Sequence, residues 1–102
     1  MDVDAGEILT DLKALSAEEP TSTLPRLREL ADAAEHAMAS GRYSKAGLAA
    51  ALTHQAIHYL IQGVEREQYG APEIKRRFAI AVGRAEAWAR EQSPAFLPAD
   101  EP

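Results

Sequence analysis

Residues 44–69, Ser-Lys-Ala-Gly-Leu-Ala-Ala-Ala-Leu-Thr-His-Gln-Ala-Ile-His-Tyr-Leu-Ile-Gln-Gly-Val-Glu-Arg-Glu-Gln-Tyr, decide the fold. Their apolar members Leu48, Leu52, Ala56, Ile57, Tyr59, Leu60, Ile61 and Val64 cover most of a helix's circumference, whereas His54 or Gln55, His58, Gln62 and Glu65 fall on one polar stripe. A helix apolar over so much of its surface wants neighbours on two sides. Short connections at Gly41 and at residues 70–72 supply them as antiparallel hairpins, so this helix, C, is expected to be the middle member of an up-down-up bundle. At 1.5 Å per residue C would run on the order of 39 Å and the helix before it about 26 Å, an overhang that leaves room for a further helix or a ligand.

Working outward, Gly70 reads as the C-terminal stop of helix C and Pro72 as the start of helix D. Helix D carries a regular stripe of Ile74, Phe78, Ala81, Val82, Ala85, Trp88 and Ala89 and ends before Pro94. Upstream, Thr23 is placed to cap helix B, Pro25 is tolerated in its first turn, and Leu24, Leu27, Leu30, Ala31, Ala34 and Met38 form its apolar face. Asp4 followed by Glu7 resembles a capping box opening a narrow helix A, with Ile8, Leu12 and Leu15 on one side and Pro20 closing the segment. Residues 1–92 thus read as one helical bundle. Its expected core is Leu27, Leu30, Leu52, Ile57 or Leu60, Phe78, Val82, Ala85 and Trp88. Residues 93–102 read as a flexible, proline-rich acidic tail, within which Phe96 and Leu97 are expected to fold back beside helix D or onto a second copy.

Composition fits this all-α reading. The chain of 102 residues is 46% hydrophobic and 26% charged, enough for one core and no second domain, and its twenty-one alanines favour helix. It has no cysteine, which excludes disulfides, Cys-ligated metal and thiol nucleophiles. No apolar run approaches the roughly 20 residues of a membrane span, and Met-Asp-Val-Asp is acidic where a secretory signal is basic, so a cytoplasmic location is expected. The alanine- and arginine-rich composition is of a bacterial kind. A net charge of −5 argues against a general nucleic-acid binder. Lys75, Arg76, Arg77, Arg84 and Arg90 give helix D a basic side, but Glu73, Glu86 and Glu91 dilute it.

Residues 24–92 resemble a microtubule-interacting and trafficking (MIT) domain, a three-helix bundle that binds short peptide motifs. The resemblance rests on Ile74-Lys75-x-Arg77-Phe78 with the later Arg84-Ala85-Glu86, on Gly41-Arg42-Tyr43-Ser44-Lys45-Ala46, and on Ala56-Ile57-x-x-Leu60-x-x-Gly63-x-x-x-Glu67. Where the family has a hydrophobic residue after the first-turn alanine, this chain has Gly47, and helix A is additional. The Gly-x-Tyr-x-x-Ala turn is also shared with tetratricopeptide-type units, but one hairpin cannot stack as such an array. The resemblance implies a partner motif held against helix D, either helical in the C–D groove or extended and proline-containing on the other side. It would give Glu86 a partner cation, make Val82 part of an apolar pocket, and set Lys75, Arg76 and Arg77 against acidic residues.

Independently of any family, Ile80, Gly83 and Ala87, bracketed by Arg76 and Arg90, form a second stripe on helix D that lets another segment approach closely. The expected peptide-binding residues are therefore Arg76, Arg77, Ile80, Val82, Gly83, Glu86, Ala87 and Arg90. His54 and His58 have the i, i+4 spacing of two zinc ligands on a helix, but a third ligand is missing and no metal or other cofactor is expected. Phosphate-binding loops, Glu-x-x-His pairs and Ser-His-Asp arrangements are absent, so no enzyme activity is expected. Two function classes remain: an adaptor that recognises a peptide motif, or a small regulatory or toxin-neutralising subunit that binds one folded partner or itself.

Overall fold

Five local elements follow from the sequence: α1 (Ala5–Leu15), a 3-10 turn (Pro20–Thr23), α2 (Leu24–Ser40), α3 (Lys45–Glu65) and α4 (Ala71–Gln92). They come from a computed structural model, which describes residues 3–41, 44–66 and 70–92. The expected docking of Phe96 and Leu97 lies outside the described residues.

The ends of these helices depart from the sequence reading in instructive ways. Asp4 does cap α1, but Oδ1 accepts from the amide of Gly6 at 2.8 Å, one residue short of the expected capping-box position. Thr23 precedes α2 without capping it: its buried hydroxyl donates to the Pro20 carbonyl at 2.6 Å and so closes the 3-10 turn. Gly70 is not the stop of α3, which ends at Glu65; its carbonyl accepts from the amides of Glu73 and Ile74 and starts α4. Helix A is broader than its three-residue stripe, since Ala5 and Leu9 are buried with Ile8, Leu12 and Leu15.

Packing places α3 against both α2 and α4, and α1 against α4. Side chains tie these contacts down at the ends. Gln92, the last residue of α4, accepts from the Ala5 amide at 2.8 Å through Oε1 and donates from Nε2 to the Val3 carbonyl at 2.6 Å, satisfying one of α1's orphan donors. Asp4, Ser40, Gly47 and Gln92 line one cleft, so one end of the bundle gathers the starts of α1 and α3 with the ends of α2 and α4. Arg26 bridges α2 to α1 through Asp11 while also bonding Glu29, and Arg28 bridges α2 to α3 through Glu65. The hydrogen bonds that Arg26 donates to Glu29 and Asp11 hold its guanidinium protonated even above its ordinary range. Such half-exposed pairs contribute at most about 1 kcal/mol each.

Stability comes from one continuous apolar core. Trp88 is 1% exposed, and Leu12, Leu27, Ile57 and Leu60 are fully buried. Leu30, Phe78 and Ala85 join it as expected, and Val82 packs against it half-buried. Leu52 does not: it is 37% exposed, because the 100° step between residues puts it beyond Ala56 on the rim of the face that meets α4. The core side of α3 is instead lined by Gly47, Ala49, Ala50, Thr53, Ala56 and Gly63 along with its larger residues, and Thr53 satisfies its buried hydroxyl on the Ala49 carbonyl at 2.9 Å.

The small residues allow close helix approach, most tightly at Gly47. A methyl group added there would overlap the Gly41 carbonyl oxygen and lie 2.5 Å from its carbon. The same oxygen accepts from the Ser44 amide at 3.0 Å and from its hydroxyl at 2.6 Å, while Ser44 Oγ accepts from the Gly47 amide at 2.9 Å. The hairpin is thus locked where backbone meets backbone. The residue that departs from the MIT pattern is the one this contact requires.

Two substitutions at helical glycines separate packing from propensity. Alanine is favoured over glycine in a helix by about 1 kcal/mol, and no atom lies within 4 Å of a methyl group at Gly83. Gly83→Ala is therefore expected to stabilise the fold by up to about 1 kcal/mol, and Gly47→Ala to destabilise it by about 1–3 kcal/mol despite the same gain, in urea melts. Phe78→Ala is expected to cost about 3–5 kcal/mol in the same assay.

Candidate functional site

Between α3 and α4 the surface dips into a groove of about 260 Å³ lined by Leu52, Gln55, Ala56 and Tyr59 from α3 and by Arg76, Arg77, Ile80 and Arg84 from α4. Helical spacing builds it: Leu52, Gln55 or Ala56, and Tyr59 recur at i, i+3/i+4, i+7, and Arg76 or Arg77, Ile80 and Arg84 do the same on the facing helix. Leu52 and Tyr59 are 37% and 45% exposed, and Ile80 is half-buried. The floor is therefore apolar and the α4 wall cationic. The groove is smaller than the roughly 300–1,000 Å³ typical of small-molecule pockets, so it suits one or two side chains of another segment better than a cofactor.

One carboxylate serves two of the cations. Glu73 accepts from Arg77 Nε at 2.9 Å and lies 3.6 Å from Arg76 Nε, while Arg84 has no carboxylate partner among the described residues. Arg84 thus adds an exposed positive charge to the wall, in a chain whose net charge is −5. It is a place for an acidic group.

Of the eight residues expected from sequence, the groove brings together Arg76, Arg77 and Ile80. Gly83, Ala87 and Arg90 are exposed on the solvent face of α4. Val82 and Glu86 are half-buried on the opposite edge of the buried stripe, roughly 160° from Ile80 for Val82, the edge left to α1 once α3 takes the other. Sequence reasoning missed Leu52, Gln55, Ala56, Tyr59 and Arg84. The signal was present in the recurrence of Leu52 and Tyr59 beside Gln55, on the flank of helix C that also carries polar residues.

His54 and His58 stack with ring centroids 6.0 Å apart, and Gln62 Nε2 lies 3.2 Å from His58 Nε2. Among the described residues no group of three or more His, Cys, Asp or Glu side chains converges on a metal position, and no helix is long and apolar enough to cross a membrane. Compared with protein-family models, with curated proteins and with solved structures, the chain has no match.

Because Leu52 and Tyr59 contribute their apolar surface to the groove rather than to the core, Leu52→Ala and Tyr59→Ala are each expected to lower stability by about 1 kcal/mol or less in urea melts. A loss of about 3 kcal/mol at either position, the size of a core truncation, would place that side chain in the core instead.

Proposed function

We propose that this chain is a non-catalytic protein–protein interaction domain, with α2, α3 and α4 in an MIT-like up-down-up arrangement, that holds a short partner segment in the α3–α4 groove. The gathered helix ends and the Arg28–Glu65 bridge support the antiparallel order. The observation that carries the functional reading is the pairing of exposed Leu52 and Tyr59 with the Arg76–Arg77–Arg84 wall. An apolar side chain of the partner displaces water from the floor, and a neighbouring carboxylate takes a forked hydrogen bond from Arg84, which is exposed and has no carboxylate partner among the described residues. The groove's chemistry favours an acidic segment with a leucine or aromatic anchor. The partner cation implied by the resemblance would need Glu86, which stands on the other flank of α4.

Fluorescence anisotropy with a panel of labelled peptides, acidic and basic, each with a Leu or Phe anchor, tests this reading. Acidic members are expected to bind at about micromolar Kd, more weakly as salt is raised. Arg84→Glu is expected to reduce that affinity at least about tenfold with little change in melting temperature. Equal binding by the Arg84 variant, or no preference for acidic peptides, would remove the groove from the proposal.

A further inference from the structure

Between Lys45 and Glu65 no Lys, Arg, Asp or Glu occurs, in a chain of which 26% is charged. That run includes the solvent face of α3, where Leu48 is 64% exposed, Leu52 37% and Tyr59 45%. These three, with exposed Gln55 and half-buried Gln62, recur at spacings of four, three, four and three. This is the d-a-d-a-d pattern of a coiled-coil seam, turned outward from the helices that the structure describes.

We propose that this stripe is the seam of a homodimer in which the α3 helices of two copies run parallel about a two-fold axis. The charges on either side of the seam choose the direction. One edge is the α4 wall, with exposed Arg76 and Arg84. The other is the row on α2 marked by Arg28, which reaches Glu65 of α3; exposed Asp32 and Glu35 follow it at i+4 and i+7 on the same row. A two-fold along α3 exchanges the edges and keeps each residue at its own height, so the cationic edge of one copy covers the acidic edge of the other. A two-fold across α3 would lay arginine over arginine.

Heights agree. Gly41 abuts Gly47, and Arg28 meets Glu65, so along the hairpin Glu35 stands level with the Leu52–Gln55 stretch and Asp32 level with Tyr59. Because α4 ends beside the start of α3, Arg84 lies toward Leu52 and Arg76 toward Tyr59 within their common groove. Arg84 then faces Glu35 of the second copy, and Arg76 faces Asp32. Gln55 meets its own counterpart on the axis, a polar layer that fixes register at some expense of stability. With α3 about 32 Å long and flanking helices 8–10 Å away, the shared face has a plan area on the order of 600 Å² per copy, at the lower end of specific interfaces, which suits a reversible dimer.

This inference stands without the peptide reading; where both hold, they compete, since Leu52, Gln55 and Tyr59 serve seam and groove alike. Sedimentation velocity of the full chain over roughly 1–300 µM tests it, with a rise from monomer to dimer and no larger species expected. Leu48 lies outside the groove, so Leu48→Glu should leave a monomer with unchanged circular dichroism melt and with peptide capture at least as strong as that of the wild-type chain. Glu35→Arg and Arg84→Glu should each weaken the dimer about tenfold, and the two together should restore it. A wild-type chain monomeric throughout the range, or a Leu48→Glu chain that still dimerises, would overturn the proposal. Failure of the double variant to recover would overturn the parallel arrangement.

Discussion

Backbone meets backbone where Gly47 abuts the Gly41 carbonyl, and that contact sets how closely α2 lies against α3, the helix on which α4 also packs. It brings α2 hard against one edge of α3 and lets Ser44 satisfy both sides of the turn with one hydroxyl. With that edge used and α4 packed on the other, the third side of α3 meets no other helix among the described residues. Leu48, Leu52 and Tyr59 are stranded there by geometry. Their exposure is thus a consequence of α3 packing on two edges only.

The relative size of the forces explains which features are structural. Burying Trp88, Phe78 and the leucine and isoleucine side chains of one continuous core outweighs the ion pairs by an order of magnitude, because each large apolar residue contributes about 1.5–3 kcal/mol and a half-exposed pair at most about 1. Arg26 and Arg28 therefore set the alignment of α2 more than they hold the fold together. The same arithmetic applies to the surface. A cationic wall on a chain of net charge −5 adds little to stability and much to the choice of what approaches it.

Much of this was legible in the sequence. The four helices follow from periodic apolar stripes, and Phe78, Ala85 and Trp88 fall into the core as their spacing requires. The limits also have physical causes. On a helical wheel Leu52 is as apolar as Leu60, and only the actual packing of two neighbours, rather than three, decides that one is buried and the other half-exposed. Thr23 precedes a helix as a cap should, yet its hydroxyl is drawn to the Pro20 carbonyl by a 3-10 turn that no stripe announces. Arg76, Arg77 and Ile80 could be placed on a binding face from helix D alone, whereas Leu52 and Tyr59 enter the groove only when α4 lies beside them. Gly47 reads as a defect against the MIT pattern until the approach of the Gly41 carbonyl gives its reason.

In the proposed dimer the outer face of α3 is an interaction face which a second copy covers. Isotope-filtered nuclear Overhauser spectroscopy on an equimolar mixture of labelled and unlabelled chains addresses it directly, at concentrations of roughly 300 µM. The expected result is a set of intermolecular contacts joining the Leu48 and Leu52 methyl groups and the Tyr59 ring to their own counterparts, with none from Leu60 or Phe78. Intermolecular contacts confined to other helices, or none at all at that concentration, would contradict it.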